Sequence, residues 1–483
     1  MPEEDEVVRR TPYEWGRLII MNLVIVVIPT IIYYRLRVAG NGLLQLHLTI
    51  AAFYAITALV VMWEALATIR RRRANSSGEP SGLRARLARL LHISGGRLPE
   101  TELPPPGSIT FIVAAFLPNE RLIILETIRH LLTSVERPTA GFEVILAYNT
   151  PCDLPVEKAL AGLAATESAF TMLRVDGSES KAENVNAAIR RATGDVICIL
   201  DADHQPCSDC VSRAWRWLQN GYDVVQGRSV IRNHPTNFLT RMIAVEFESI
   251  YAVSHTARSL VLDTAIFGGS NGYWRADVLK AILFDGTMMT EDIDASSRAL
   301  LAGYRIAHDR SIISAELAPD TFHAFWCQRK RWAQGWLQVS LKYQRPFWTT
   351  KHLTLAQKIH WTYLLLYREL YPIITLQVFP VIFSLLLYQG DMPMRTHWFL
   401  LFSTVVTLAS GPMATISSMR HAKGRYPAWY GIVYALCVVW FVMIKNAIAL
   451  VAMYDQLFKN TDWVVTRRGI SGRLQSELAD DVA

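Results

Sequence analysis

The 483-residue chain is short of cysteine, with six in all, at positions 152, 198, 207, 210, 327 and 437. Their spacing gives no disulfide framework, and Cys207 and Cys210 form a single CxxC with no second pair to complete a zinc site. No thioredoxin-like pattern surrounds that pair, so reduced thiols are expected. An internal repeat and low-complexity tracts are also lacking, which argues against a solenoid or a disordered scaffold. Behind the acidic start MPEEDEVV, the first apolar stretch has no small-residue cleavage site and reads as a retained span rather than a signal peptide. Charge is modest at 19%, while hydrophobic residues make up 51% with 14 Trp. Such a mixture suits a soluble body held between membrane segments better than a wholly soluble enzyme or a bare channel.

Residues 17–36 are long enough to cross a bilayer, and a second apolar stretch, 43–69, ends at the run Arg70, Arg71, Arg72 and Arg73. Directly after an apolar segment, that run reads as a positive-inside flank rather than a nucleic-acid patch, and it places both ends of the hairpin in the cytosol. Residues 74–107, rich in Ser, Gly, Arg and Pro, have the chemistry of a linker. From Ile109 to about Ala318, short apolar runs alternate with helical periods, and this predicts a parallel sheet covered on both faces. Ligands of such sheets bind beyond the carboxyl ends of the strands. Apolar character returns after about residue 345, with predicted spans at Leu370–Tyr388 and Trp398–Ser417 and a third stretch at 428–454, interrupted by Lys445 and Asn446.

The sequence Asp201-Ala202-Asp203-His204 follows a predicted strand. Carboxylates one residue apart on extended chain share a side, so Asp201 and Asp203 can hold one hard divalent cation that offsets a nucleotide diphosphate. Upstream, Lys181 and Asn184 stand either in a capped amphipathic helix or beside phosphate and ribose. Downstream, Gly269, Ser270 and Asn271 of FGGSNGYWR make either a plain turn or a close backbone approach to sugar hydroxyls. Glu291 and Asp292 suit the first turn of a helix, and one of them also suits the role of a general base. In QRKRW, Gln328, Arg331 and Trp332 are either interfacial anchors or contacts to a pyrophosphate and a sugar ring.

Taken in order, DxD, GGSNG, TED and QxxRW between membrane spans resemble the processive family 2 glycosyltransferases, which include cellulose synthase catalytic subunits, hyaluronan synthases and chitin synthases. The resemblance covers about residues 105–470. It implies an α/β GT-A glycosyltransferase domain inserted between α-helical transmembrane segments, with Mg²⁺ or Mn²⁺ as cofactor. It also implies inverting transfer from a UDP-sugar, UDP-glucose by the cellulose-synthase-like motifs, to a growing β-linked polysaccharide that crosses the membrane. The alternative is a single transfer to a lipid acceptor. By the same resemblance, Asp292 with Glu291 is catalytic; Lys181, Asn184, Asp201, Gln328 and Arg331 face the nucleotide sugar; Gly269, Ser270, Asn271 and Trp332 face the acceptor; and Asp201 and Asp203 hold the metal. The segment WVVTRRG, 463–469, is similar to the gating loop of cellulose synthases and implicates Thr466 and Arg468.

One departure is visible: where the family places a base-reading Asp, this chain has Tyr148 and Asn149. An amide can bond a base edge and a phenol ring can stack on it, so both are assigned to the nucleotide. The chain ends soon after the gating segment, and a cyclic-di-GMP-binding domain is therefore not expected. The resulting organisation is a transmembrane hairpin (1–73), linker (74–107), cytosolic catalytic domain (108–345), transmembrane and interfacial helices (346–458), and gating loop with tail (459–483). Four spans plus interfacial helices keep the gating segment cytosolic. A multi-pass protein of a bacterial-type inner membrane is expected, with the bilayer and no nucleic acid as partner, and with any envelope export partner unknown.

Overall fold

The computed structural model describes residues 15–74, 105–388, 394–422 and 424–459; Thr466 and Arg468, with the rest of WVVTRRG, lie outside the described residues. An eight-stranded sheet occupies the middle of the chain: β1 (Ile109–Phe116), β2 (Phe142–Asn149), β3 (Phe170–Arg174), β4 (Val196–Asp201), β5 (Gln205–Pro206), β6 (Val224–Ile231), β7 (Gly272–Arg275) and β8 (Ile306–Glu316). Its order is β3-β2-β1-β4-β7-β6-β8-β5.

The first four strands run parallel, as their apolar runs predict. Along β1 every residue from Ile109 to Ala115 is buried, because alternate side chains enter two different cores. Ile112 and Ala114 pack with the Lys181–Ile189 and Glu291–Leu301 helices, while Phe111 and Val113 pack with Ile124–Ser134 and Cys210–Leu218. Beyond β4 the sheet is mixed rather than parallel. β7 lies antiparallel between β4 and β6, and β5 pairs antiparallel with β8. At the start of the inserted strand β7, Gly272 leaves room for the Phe267 ring, whose carbons stand 2.2 Å from where a Cβ would lie.

Among the described residues, four helices are long and apolar enough to cross a membrane: Trp15–Val38, Leu44–Thr68, Leu355–Leu387 and Ala428–Leu457. The last contains the segment expected to lie at the interface. Its Lys445 does not end the helix, because the ammonium is met by Glu246 of the sheet domain at 2.7 Å. The predicted span Trp398–Ser417 forms part of the 28-residue helix Met394–His421. The helix carrying QRKRW runs from Phe322 to Thr349, so the boundary expected at residue 345 falls inside it.

Buried charge pairs join the sheet domain to the apolar helices. Glu246 accepts from Arg329 at 2.5 Å as well as from Lys445, and Glu248 is held between Arg228 and Arg425. Asp455, 1% exposed, binds Arg17 of the first apolar helix at 2.6 Å and Lys330 of QRKRW at 2.9 Å.

Candidate active site

β4 delivers Asp201 to the carboxyl edge of the sheet, half-buried, where its backbone N–H donates to Ser270 Oγ at 3.0 Å. Ser180 caps the helix that precedes β4, Lys181–Ile189, by accepting from Glu183 N–H. The cap fixes Lys181 at the first turn, and its ammonium reaches Asp201 Oδ1 at 2.5 Å, Gly269 O at 2.7 Å and Glu291 Oε1 at 4.0 Å. Burial works against that charge, but Asp201 and Glu291 outweigh it and hold Lys181 above its ordinary value.

Gly269 has φ +87°, and a Cβ there would stand 2.9 Å from Asp292 Oδ2. The turn is held open by Gln226, which is fully buried; it accepts from Gly268 N–H at 2.8 Å and donates to Ser270 O at 3.0 Å. Ser296 ties the Glu291–Leu301 helix to the same turn, accepting from Phe267 N–H at 2.9 Å and donating to Asp292 O at 2.8 Å. Asp292 is therefore fixed against the glycine turn. Burial, then the neighbouring Glu291 carboxylate, raise its pKa to about 7, with Lys181 pulling the other way. A carboxyl poised near neutrality suits a general base.

Asp201, Asp203 and His204 bring one ligand atom each within 4.8 Å of one another. Asp203 is fully buried and accepts from Leu317 N–H at 2.9 Å, and His204 Nε2 lies 2.6 Å from Glu316 while Nδ1 lies 3.0 Å from Ser314 Oγ. Two carboxylates and an imidazole fit a divalent cation such as Mn²⁺ or Mg²⁺, with the imidazole favouring the former. The Lys181 ammonium, resting on Asp201, shows that this edge holds positive charge.

A cavity of about 700 Å³ gathers Asn149, Lys181, Asn184, Asp201, Gly269, Ser270, Glu291, Asp292, Gln328, Arg331 and Trp332 along its wall. Asn149 Oδ1 accepts from Asn184 at 2.8 Å, and its own amide donates to Ser178 O at 2.8 Å. One face of Trp332 is covered by the Arg329 guanidinium, 4.2 Å from the ring centroid. Two residues predicted to face the nucleotide or the acceptor lie elsewhere. Tyr148 neighbours Asn149 on a strand and points to the opposite face, where it is buried and donates to Glu157 at 2.9 Å; burial, then that bond, push the phenol up to about 12. It cannot stack on a base in the cavity. Asn271, with φ +53°, is fully buried and donates to Arg228 O and Ile312 O, locking the turn to the sheet instead of facing an acceptor. Asp203 stands behind the cavity wall, within reach of Asp201 but not itself lining the cavity.

The same cavity continues past Trp332 into the apolar helices, lined by Thr57, Glu64, Trp336, Tyr367, Arg368 and Asn446 among others. Of the residues that matter here, Gln226, Glu246 and Ser296 lie outside any motif and give no sequence signal. His204 does give one, as the fourth residue of DADH.

An acidic strand edge with metal-capable donors, a lysine beside it, and a carboxyl poised over a glycine turn define a GT-A-like domain flanked by apolar helices. Residues 196–450 match the family model "Glycosyl transferase family group 2", and the chain belongs to that family. Among curated relatives, a probable glycosyltransferase, YdaM, of Bacillus subtilis (strain 168) is 23% identical over 364 residues, covering 72% of this chain and 84% of that protein. The poly-beta-1,6-N-acetyl-D-glucosamine synthase of Staphylococcus aureus (strain COL) is 25% identical over 308 residues, covering 62% and 69%. Among solved structures, the mannosyltransferase PcManGT of Pyrobaculum calidifontis, in complex with GDP-Man and Mn²⁺, is similar at 18% identity and TM-score 0.46, covering 85% of this chain and 99% of that one. TarS of S. aureus with UDP-GlcNAc is similar at 14% identity and TM-score 0.37, covering 72% and 92%.

Proposed function

We propose that this chain is a multi-pass membrane enzyme that transfers a sugar from a UDP-sugar, with inversion, onto a growing polysaccharide and feeds the product between its own apolar helices. The observation that carries this reading is one cavity that holds Asp201, Lys181 and Asp292 and continues between those helices without a break. Asp292 takes the proton of the acceptor hydroxyl; that oxygen bonds the anomeric carbon as the bond to the diphosphate breaks, and UDP leaves with the electron pair. Lys181 meets charge on the leaving group at the strand edge. Asp201, Asp203 and His204 would hold a divalent cation, which supplies further neutralisation of the diphosphate. Gln328 and Arg331 face the donor, and Trp332 offers its free face to the acceptor. Asn149, fixed by Asn184, presents its carbonyl oxygen to a base edge.

The cellulose-synthase-like motifs favour glucose as the sugar, whereas the S. aureus relatives are named for a polymer of N-acetylglucosamine. Incubating the purified full chain with labelled UDP-glucose or UDP-N-acetylglucosamine and sizing the product tests the proposal. Long polymer from either donor supports it. Lipid carrying a single sugar as the only product overturns it in favour of the single-transfer alternative.

A further inference from the structure

The apolar helix Leu355–Leu387 carries two adjacent charges, Arg368 and Glu369, and both line the cavity. Among the described residues neither side chain has a hydrogen-bond or ion-pair partner. The other charges around them are matched: Glu64 accepts from Ser254 at 2.6 Å and stands 3.6 Å from Arg258, and Glu246 holds Arg329 and Lys445. Arg368 lies over the face of Trp336, with its guanidinium carbon 4.2 Å from the ring centroid. Adjacent and opposite in charge, the two partly offset each other. Among the described residues, however, the guanidinium N–H groups and the carboxylate oxygens lack hydrogen-bond partners; polar atoms left so in an apolar helix are costly and mark a ligand position.

From this pair we infer a saccharide subsite within the apolar helices, built by Arg368, Glu369 and Trp336, that receives a neutral sugar unit and rejects charged ones. It rests on the proposed polymerising function and adds the substrate class. Arg368 brings up to five N–H donors and Glu369 brings acceptors only. A neutral sugar ring offers hydroxyls that both donate and accept, so it satisfies the two at once. A carboxylate-bearing sugar would meet Arg368 at the cost of repulsion from Glu369, and a free amine would meet the reverse. Aromatic surface is at hand for the ring's C–H face: Trp336, and Tyr367, which is held in place by Thr57 Oγ1 at 2.7 Å and stacks on Phe53.

The test is direct binding to the full chain in detergent, without donor, of three β-linked tetrasaccharides: a neutral one, its uronate form and its free-amine form. The neutral form is expected to bind about tenfold more tightly than either charged form. Glu369→Gln should improve uronate binding alone, and Arg368→Gln should improve amine binding alone, because each removes one repulsion. Equal affinity for all three sugars, no binding of any, or variants that weaken all three alike would overturn the subsite. Polymer formation by the unsubstituted protein reports separately on the proposed function: polymer made without charge discrimination sinks only the subsite, and discrimination without polymer sinks only the polymerising reading.

Discussion

Gly269 and Asp292 meet so closely that any side chain on the glycine would press on the carboxylate, with a Cβ 2.9 Å from Oδ2. The position also has φ +87°, which a residue with a Cβ adopts only under strain. Gly269→Ala is expected to lower kcat by about tenfold or more through displacement of Asp292, with a small stability loss of about 1–2 kcal/mol. Steady-state UDP release and thermal unfolding of the same preparation check the two effects.

Asp292→Asn should reduce transfer by about 10²–10⁴-fold, the usual contribution of a positioned base. In the parent protein the rate should rise with pH through about 7, the value to which burial and Glu291 raise this carboxyl. Its effect on stability has the opposite sense. The folded chain keeps a proton that the unfolded chain releases near 3.8, so this group's contribution is intact below that value and is lost as pH rises through about 7. The variant should therefore unfold at a higher temperature than the parent at neutral pH, with the difference closing on acidification. A melting series across pH in which the two midpoints fail to converge on acidification would contradict the placement of Asp292.

Lys181→Met removes the cation that holds Asp201, Glu291 and Asp292 together. Because Lys181 pulls Asp292 downward, its loss should shift the acidic limb of the rate profile to higher pH while UDP binding weakens. A pH–rate profile beside a UDP titration separates this from general loss of fold, which would leave the limb in place.

Glu246→Ala strands Arg329 and Lys445 where Glu246 is 4% exposed. Removing one partner of a buried charge cluster costs about 3–5 kcal/mol. Thermal unfolding in detergent should show a large fall in midpoint, and Glu246→Gln a smaller one.

Chelation should abolish transfer, and Mn²⁺ should restore it at lower concentration than Mg²⁺ if the His204 imidazole takes part. His204→Ala should then narrow the difference between the two ions. The ratio of the two half-restoring concentrations is the quantity to measure, since loss of the Glu316 contact alone would not change it.

The residues at the strand edge were legible because their chemistry is concentrated in short runs: DADH, GGSNG, TED and QRKRW each bring part of the cavity wall. The first four strands were legible for the same reason, through apolar runs bounded by turns. Tyr148 marks where that reading failed. Neighbours on a strand point to opposite faces, so Tyr148 and Asn149 could not both enter one cavity. The direction of β7 was beyond reach, because four residues whose partner strands lie far off in sequence carry no signal of orientation. Lys445 misled for a related reason. A charge inside an apolar stretch looks like an interruption until its partner, Glu246, is brought to it by the fold. Arg368 and Glu369 belong to no motif, and only their shared cavity distinguishes them from ordinary interfacial charges.

The bond between Arg17 and Asp455 joins residues 438 positions apart. During synthesis the Trp15–Val38 helix emerges first, and its buried partner is translated 438 residues later. Lys330, made in between, waits for the same carboxylate. The helix that bears QRKRW therefore gains this contact only once the Ala428–Leu457 helix is in place. Under the function proposed above, a half-inserted chain would hold the strand edge and its lysine without the helices proposed to receive the product, and would be poorly equipped to spend sugar nucleotide.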